Sequence, residues 1–310
     1  MATYILRNEV SDGARELALT LGGRKIRQFR QREGFYFKRG EQRVAVQFRP
    51  NDVIVCWGEA LATLPAGTRV LNGGPIRNKF TDAQTLRQAG VPTIEVARTE
   101  PQVVPAPPLI DPAAVAWATL RESIYDFPVE FRRNPAMTEG VTQLRLQAEA
   151  LRLALQAPVP VAPPQNLGVW LPRLNNHVGG NDLLNRPTRA DFFAKKIELV
   201  REFRIHSFLG RSIRAGQKVE REGMTSHPWI RSFDAGWKIL YDGVTARQNH
   251  RELAHSACRA LNLDFAAVDI GEKTDGSLVV LECNRAPGLS DGTVARYAGA
   301  IQRYIQGELD

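Results

Sequence analysis

Two apolar runs, Phe265-Ala-Ala-Val-Asp269-Ile and Leu278-Val-Val-Leu-Glu282-Cys-Asn284, flank Asp275-Gly276, and no other feature narrows the fold of this chain so far. Asp-Gly between apolar runs signals a hairpin, because both residues tolerate the left-handed backbone of a tight turn. A two-residue turn centred there pairs residues whose numbers sum to 551, which sets Asp269 opposite Glu282. Opposed residues share one face of a sheet, with Cβ atoms roughly 5 Å apart. Asn284, two residues on, points the same way, whereas Cys283 points away and is expected to pack. Like charges that close repel by roughly 1 kcal/mol in water and several-fold more where water is excluded, so the pair calls for a cation. All three donors are hard oxygens, which suit Mg2+ bridging phosphates better than zinc. The stiff Ala286-Pro287-Gly288 follows directly.

A chain of 310 residues can bury a sizeable core and hold two or three subdomains. No apolar run reaches the length of a membrane span, and the N-terminal residues lack the pattern of a secretory signal, so a cytoplasmic setting is expected. Cys56, Cys258 and Cys283 lie in apolar stretches with no C-x-x-C pair, which argues against a disulfide framework or a zinc site. The net charge of +8, from 41 Lys and Arg against 33 Asp and Glu, favours anionic partners such as nucleotides. No aromatic-interleaved basic stripe or DNA-binding motif accompanies it, so nucleic acid is only weakly supported.

Strands are expected at 3–7, 25–29, 43–48, 52–57 and 69–71, with a helix from Ser11 to Leu21 stopped by Gly22-Gly23. These make a small α/β domain over 1–74, which contains neither standard glycine loop for a nucleotide. Thr81-Asp-Ala-Gln84 reads as a capping box opening a helix over 82–89. The Pro- and Val-rich stretch 100–112 is an extended connector, and helix formers near helical spacing predict a helical insert near 113–156, within a central subdomain over 75–165. From 166 onward strands return. Val169-Trp-Leu-Pro-Arg173 leads into a polar turn with Gly179-Gly180, whose backbone N–H groups suit an anion. Glu202-Phe-Arg204-Ile-His206 alternates, placing Glu202, Arg204 and His206 on one strand face. Helices are expected over 250–262 and 294–305.

In this order the pieces resemble the ATP-grasp ligases, most closely from Ala190 to the C-terminus and over Asn78 to Thr93. The resemblance implies an α/β (α+β) ATP-grasp fold: a small N-terminal domain and two α+β subdomains clasping ATP. It implies that Lys79 contacts ATP phosphate, that the backbone of Lys195, Lys196 and Ile197 meets the adenine edge, and that Glu202 holds the ribose hydroxyls. Arg204 would face the reacting phosphate. Asp269, Glu282 and Asn284 match the family's ligands for Mg2+, or Mn2+ in its place, including the 13-residue separation of the carboxylates. The chain departs from the family in two respects. Arg173 stands where many members carry a lysine; it can clamp phosphate, though not as a point charge. Ala267 replaces the arginine that D-alanine-D-alanine ligases place two residues before the first metal ligand. The chain is in this respect more similar to the glutamate ligases that modify protein termini and to phage-type ATP-grasp proteins, and Arg221 and Arg231 are then the candidate cations for the reacting groups.

The implied reaction is ATP-dependent joining of a carboxylate to an amine through an acylphosphate, with ADP and phosphate released. The substrates would be small-molecule or peptide acids and amines; a homo-oligomer is compatible with the sequence. Two alternatives stand beside it: a nucleotide-binding protein of this fold without catalysis, and a nucleic-acid-associated tailoring protein.

Overall fold

The computed structural model describes residues 1–9, 11–28, 34–61, 63, 65–101, 143, 169–174, 190–228, 230–289 and 292–309. The chain divides into two compact units, Met1–Glu100 with Val169–Asp310, and Pro101–Gly168. The expected helical insert, in the second unit, and the turn carrying Gly179 and Gly180 lie outside the described residues, Gln143 apart.

The N-terminal sheet contains β1 (Thr3–Leu6), β2 (Arg24–Gln28), β3 (Phe35–Arg39), β4 (Gln42–Val46), β5 (Val53–Cys56) and β6 (Arg69–Leu71), in the order β4-β3-β2-β1-β5-β6. β1 runs parallel to both β2 and β5, and β6 parallel to β5. Helix α1 (Asp12–Thr20) starts at Ser11, whose Oγ accepts from Ala14 N at 3.2 Å. Its buried Ala14, Leu17 and Ala18 cover Ile5, Val53 and Val55. β3, Phe-Tyr-Phe-Lys-Arg, is absent from the expected strands; its aromatic residues favour a pleated surface, and it pairs antiparallel with β2 and β4.

Helix α2 (Lys79–Gln88) begins a turn earlier than the capping box at Thr81 predicts. The cap is Asn78, whose side-chain oxygen accepts from Thr81 N at 2.8 Å, so Lys79 opens the helix. Gly90, at φ +72°, follows its end, and Pro92–Ile94 then runs along a strand near the C-terminus, with Val280 N donating to Pro92 O at 2.8 Å. β7 (Val96–Ala97), β8 (Trp170–Arg173) and β9 (Phe192–Lys195) form a three-stranded sheet in the order β7-β9-β8, sealed by Phe80, Phe192 and Ala194.

The third sheet is antiparallel, in the order β12-β11-β10-β13-β14, from β10 (Leu199–Phe208), β11 (Arg211–Glu220), β12 (Trp237–Leu240), β13 (Phe265–Lys273) and β14 (Leu278–Asn284). One face packs on helix α3 (Gln248–Ala260), with Ala254, Ala257 and Cys258 against Phe203, Ile205, Val268 and Ile270. Cys283 joins that core, as its position in the strand predicts. Helix α4 (Thr293–Ile305) links this sheet to the first: Tyr297 and Ile301 share a core with Val53, Val55 and Trp57. Trp57 stacks on Phe265 at 5.1 Å and meets Tyr297 edge-on at 5.0 Å, contacts that contribute about 0.5–1.5 kcal/mol each beyond their buried area.

Two β-bulges set which residues line the opposite face. The β13–β14 turn has three residues, Thr274–Gly276, not two: Lys273 N bonds Ser277 O at 2.9 Å, and the pairs Glu272–Leu278 to Ile270–Val280 sum to 550. Leu281 is then an extra residue on β14, and beyond it Asp269 opposes Glu282, as expected for the wrong reason. In β10–β11 the tight turn at Leu209-Gly210 pairs Ser207 with Ser212, and Ile213 is the extra residue before His206 pairs with Arg214. That shift turns Arg214, Gly216 and Lys218 onto the face of Arg204.

Candidate active site

The face of the third sheet away from α3 carries a ladder of charge. Arg204 stands between Gly216 on β11 and Asp269 on β13, and Asp269 opposes Glu282 on β14. One step along, His206 stands between Arg214 and Ala267, and Ala267 opposes Asn284. Arg204 grips Asp269 with both arms, Nε to Oδ1 at 2.7 Å and Nη2 to Oδ2 at 2.8 Å. Lys218 Nζ pairs with Glu202 and lies 3.8 Å from Asp269 Oδ2. Lys79, at the start of α2, lies 3.4 Å from Glu282.

The electrostatics follow from burial and balance. Asp269 is only 9% exposed, and burial by itself raises a carboxyl pKa, but Arg204 and Lys218 outweigh it and hold Asp269 at about 2. For Glu202 burial dominates and Lys218 offsets it only in part, so its pKa stands above the ordinary value. Burial alone would lower Lys218, yet Asp269 and Glu202 together keep its ammonium above the usual lysine range. Two buried carboxylates thus face two half-buried cations.

His206 is fully buried between two hydroxyls, Tyr297 at 3.2 Å from Nδ1 and Tyr241 at 3.1 Å from Nε2. Burial first, and Arg204 second, push its pKa down to about 3, which favours the neutral ring, and the two hydroxyls hold that ring in place. Gly216 matters here: a Cβ on it would lie 2.8 Å from the Tyr241 ring and 2.6 Å from Ile239, so only glycine lets Tyr241 lie over this row.

The other residues singled out in the sequence fall as follows. Arg231 donates to Leu199 O at 2.7 Å and packs on Trp237, close enough to Glu202 to lower its pKa. Arg221 stacks on the exposed Phe233 at 4.0 Å and donates to its carbonyl. Lys195 pairs with Glu95 and Lys196 with Glu198, each near 3 Å, at the end of β9 with Ile197 following. Arg173 ends β8 opposite Phe192. Lys218 was not among the expected site residues, because its partner Glu202 is 16 positions away and the bulge at Ile213 hides their pairing.

The donors suit a hard divalent ion. Each Asp269 oxygen spends one acceptor site on Arg204 and keeps another, Glu282 is a third exposed, and Asn284 Oδ1 accepts from Ala286 N at 2.9 Å with a lone pair to spare. Among the described residues no three His, Cys, Asp or Glu side chains gather at metal-holding distance. Two carboxylates and an amide leave the remaining coordination to phosphate and water, as magnesium sites do.

This arrangement of sheets is the ATP-grasp fold. The chain is similar over its length to solved structures of the ATP-grasp ligase PsnB: complexed with minimal precursor (14% identity, TM-score 0.54, 99% of each chain covered) and with a precursor peptide and AMPPNP (14%, 0.52, 99% of this chain and 98% of that one). A third, with a phosphomimetic variant of minimal precursor, Mg and ADP, matches with 14% identity and a TM-score of 0.51, covering 99% and 98%. No protein-family model matches the sequence, and neither does any curated protein.

Proposed function

We propose that the protein is an ATP- and Mg2+-dependent ligase that joins a carboxylate to an amine through an acylphosphate, releasing ADP and phosphate. One observation carries this reading: Arg204, Asp269 and Glu282 stand side by side on three adjacent strands, on the face away from α3. Phosphoryl transfer asks a protein chiefly for positioning and charge neutralisation. Arg204 is oriented by its two bonds to Asp269 and presents its remaining N–H groups to a phosphoryl oxygen. Lys218 and Lys79 add point charges at either end of the ladder, Lys79 from the helix start where a phosphate is favoured. Glu202, bound to Lys218, accepts from ribose hydroxyls with its second oxygen, and at the β9–β10 link, where Lys195 N and Lys196 N already donate to Glu95 O and Val169 O, Ile197 offers backbone groups to the base.

Asp269, Glu282 and Asn284 would hold Mg2+, which bridges phosphates and acts as a Lewis acid when bound. Arg231, at Leu199, and Arg173 stand as second-rank cations; Arg221, committed to Phe233, is less favoured than Lys218. PsnB was solved with precursor peptides, and a peptide acid or amine falls within the proposed substrate class. A cytoplasmic setting fits ATP use and three buried free thiols; among the described residues no helix is long and apolar enough to cross a membrane. The test is ADP release with Mg2+ and a panel of carboxylic acids, hydroxylamine serving as the amine. A hydroxamate formed in step with ADP supports the reading, and absence of both across amino acids, peptides and polyamine acceptors removes it.

A further inference from the structure

Arg285 follows Asn284 directly, and its side chain reaches away from the charge ladder to the loop that joins β6 to α2. That loop, Asn72-Gly-Gly-Pro-Ile-Arg-Asn78, leads straight into Lys79, whose Nζ lies 3.4 Å from Glu282. Two adjacent glycines give it little stiffness of its own, so its path is fixed from outside.

Three of its carbonyls converge on one guanidinium. Arg285 Nη1 donates to Pro75 O at 2.5 Å, and Nη2 donates to Gly74 O at 3.0 Å and to Asn72 O at 3.2 Å. A planar fork meets several acceptors at once, which an ammonium on a flexible stem does less well. The root of the loop is tied separately: Asn72 N donates to Asp264 Oδ2 at 2.6 Å, and Asn72 Oδ1 accepts from Asp264 N at 2.8 Å. Farther on, Arg77 donates to Leu261 O at 2.9 Å, at the end of α3. The clasp of Arg285 acts on the glycine stretch between these two ties.

The far end of α2 is fastened to the same strand. Val280 N donates to Pro92 O at 2.8 Å, and Val280 O accepts from Thr93 Oγ1 at 3.0 Å and from Ile94 N at 3.3 Å. Helix α2 is therefore held at both ends by β14 and the residue that follows it, and β14 also carries Glu282 and Asn284. Asp82, in the first turn of α2, lies close enough to Arg285 and Glu282 for both charges to act on its carboxyl.

We propose that Arg285 is a positioning residue for nucleotide binding: by clasping the Asn72–Pro75 loop it holds Lys79 beside Glu282, so that the phosphate cation and the metal ligands form one fixed set. This rests on the ligase reading and deepens it, because it names the side chain that sets Lys79.

The test is calorimetry with AMPPNP and Mg2+ on the full chain, in a double-mutant cycle of Arg285→Met and Lys79→Met. Each single variant is expected to bind about ten-fold more weakly than the wild type, the scale of a lost charge-assisted contact, and the double variant no more weakly than Lys79→Met alone. Unchanged affinity in Arg285→Met overturns the proposal, and so do losses that add in full, because the arginine would then act without Lys79. A clasp serving stability alone would lower the melting temperature and leave the affinity of the folded protein unmoved. Should Arg285→Met not fold by circular dichroism, Arg285→Lys decides in the same cycle: a loss of about three-fold beside Lys79 and none in the Lys79→Met background supports the proposal, and no loss, or an equal loss in both, overturns it. The ligase reading fails on its own, through a wild type that neither binds the nucleotide nor releases ADP, whereas binding by the wild type with unmoved affinity in Arg285→Met removes this inference alone.

Discussion

Arg204 and Asp269 meet directly across neighbouring strands with two parallel hydrogen bonds, and Asp269 in turn opposes Glu282 on the next strand. The same carboxylate therefore orients the cation and belongs to the set that would hold the metal. Asp269→Asn is expected to abolish turnover and also to lower stability by about 3 kcal/mol, since it strips the half-buried Arg204 guanidinium of its counter-charge. Glu282→Ala, at a third-exposed position, is expected to abolish turnover with stability kept within about 1 kcal/mol. Urea unfolding beside ADP release separates the two; equal destabilisation by both variants would contradict the division of roles.

Lys218 satisfies Glu202 and faces Asp269. Lys218→Met is expected to reduce turnover by about 10³-fold, the scale of a lost transition-state cation, and to lower the melting temperature by leaving Glu202 unpaired. Adding Glu202→Gln should restore the melting temperature without restoring turnover. Recovery of both together would make the lysine purely structural.

His206 has its folded pKa pushed down to about 3 from an ordinary value of 6.5. Between those values the unfolded chain binds a proton that the folded chain refuses, so stability is full above pH 6.5 and declines as pH falls toward 3. His206→Gln keeps a donor and an acceptor for the two tyrosine hydroxyls, and is expected to flatten the decline between pH 7 and 4.5 in urea midpoints. An unchanged slope would assign the acid sensitivity to other groups.

Gly216→Ala would drive a methyl group into Tyr241 and Ile239. The expected cost is about 1–3 kcal/mol of stability together with weaker nucleotide binding, as Tyr241 is lifted from His206. Calorimetry with an ATP analogue and Mg2+ checks it; unaltered affinity would detach Tyr241 from the site.

Much of the fold was legible because alternation and turn residues act locally. Strands β1, β5 and β6 and helices α1, α3 and α4 all follow from such signals. What escaped was register beyond a bulge. With a regular hairpin at Leu209-Gly210, Gln217 would stand opposite Glu202; the extra residue Ile213 delivers Lys218 there instead. Turn length was misjudged at Thr274–Gly276 for a similar reason, and the extra residue Leu281 cancelled the error. The start of α2 was placed late because Thr81 and Asn78 are both good caps, and it is Asn78 that accepts from Thr81 N.

The two extra residues give the chain an unequal tolerance of change. Exchanging the side chain of Ile213 or Leu281 alters packing at one point, but deleting either shifts by one the facing of every residue beyond it toward the cleft. Insertions and deletions within β11 and β14 should therefore vanish from any library selected for activity well before substitutions at the same positions do, and the spacing from Arg211 to Lys218 and from Leu278 to Asn284 is as much a part of the proposed site as the residues it carries.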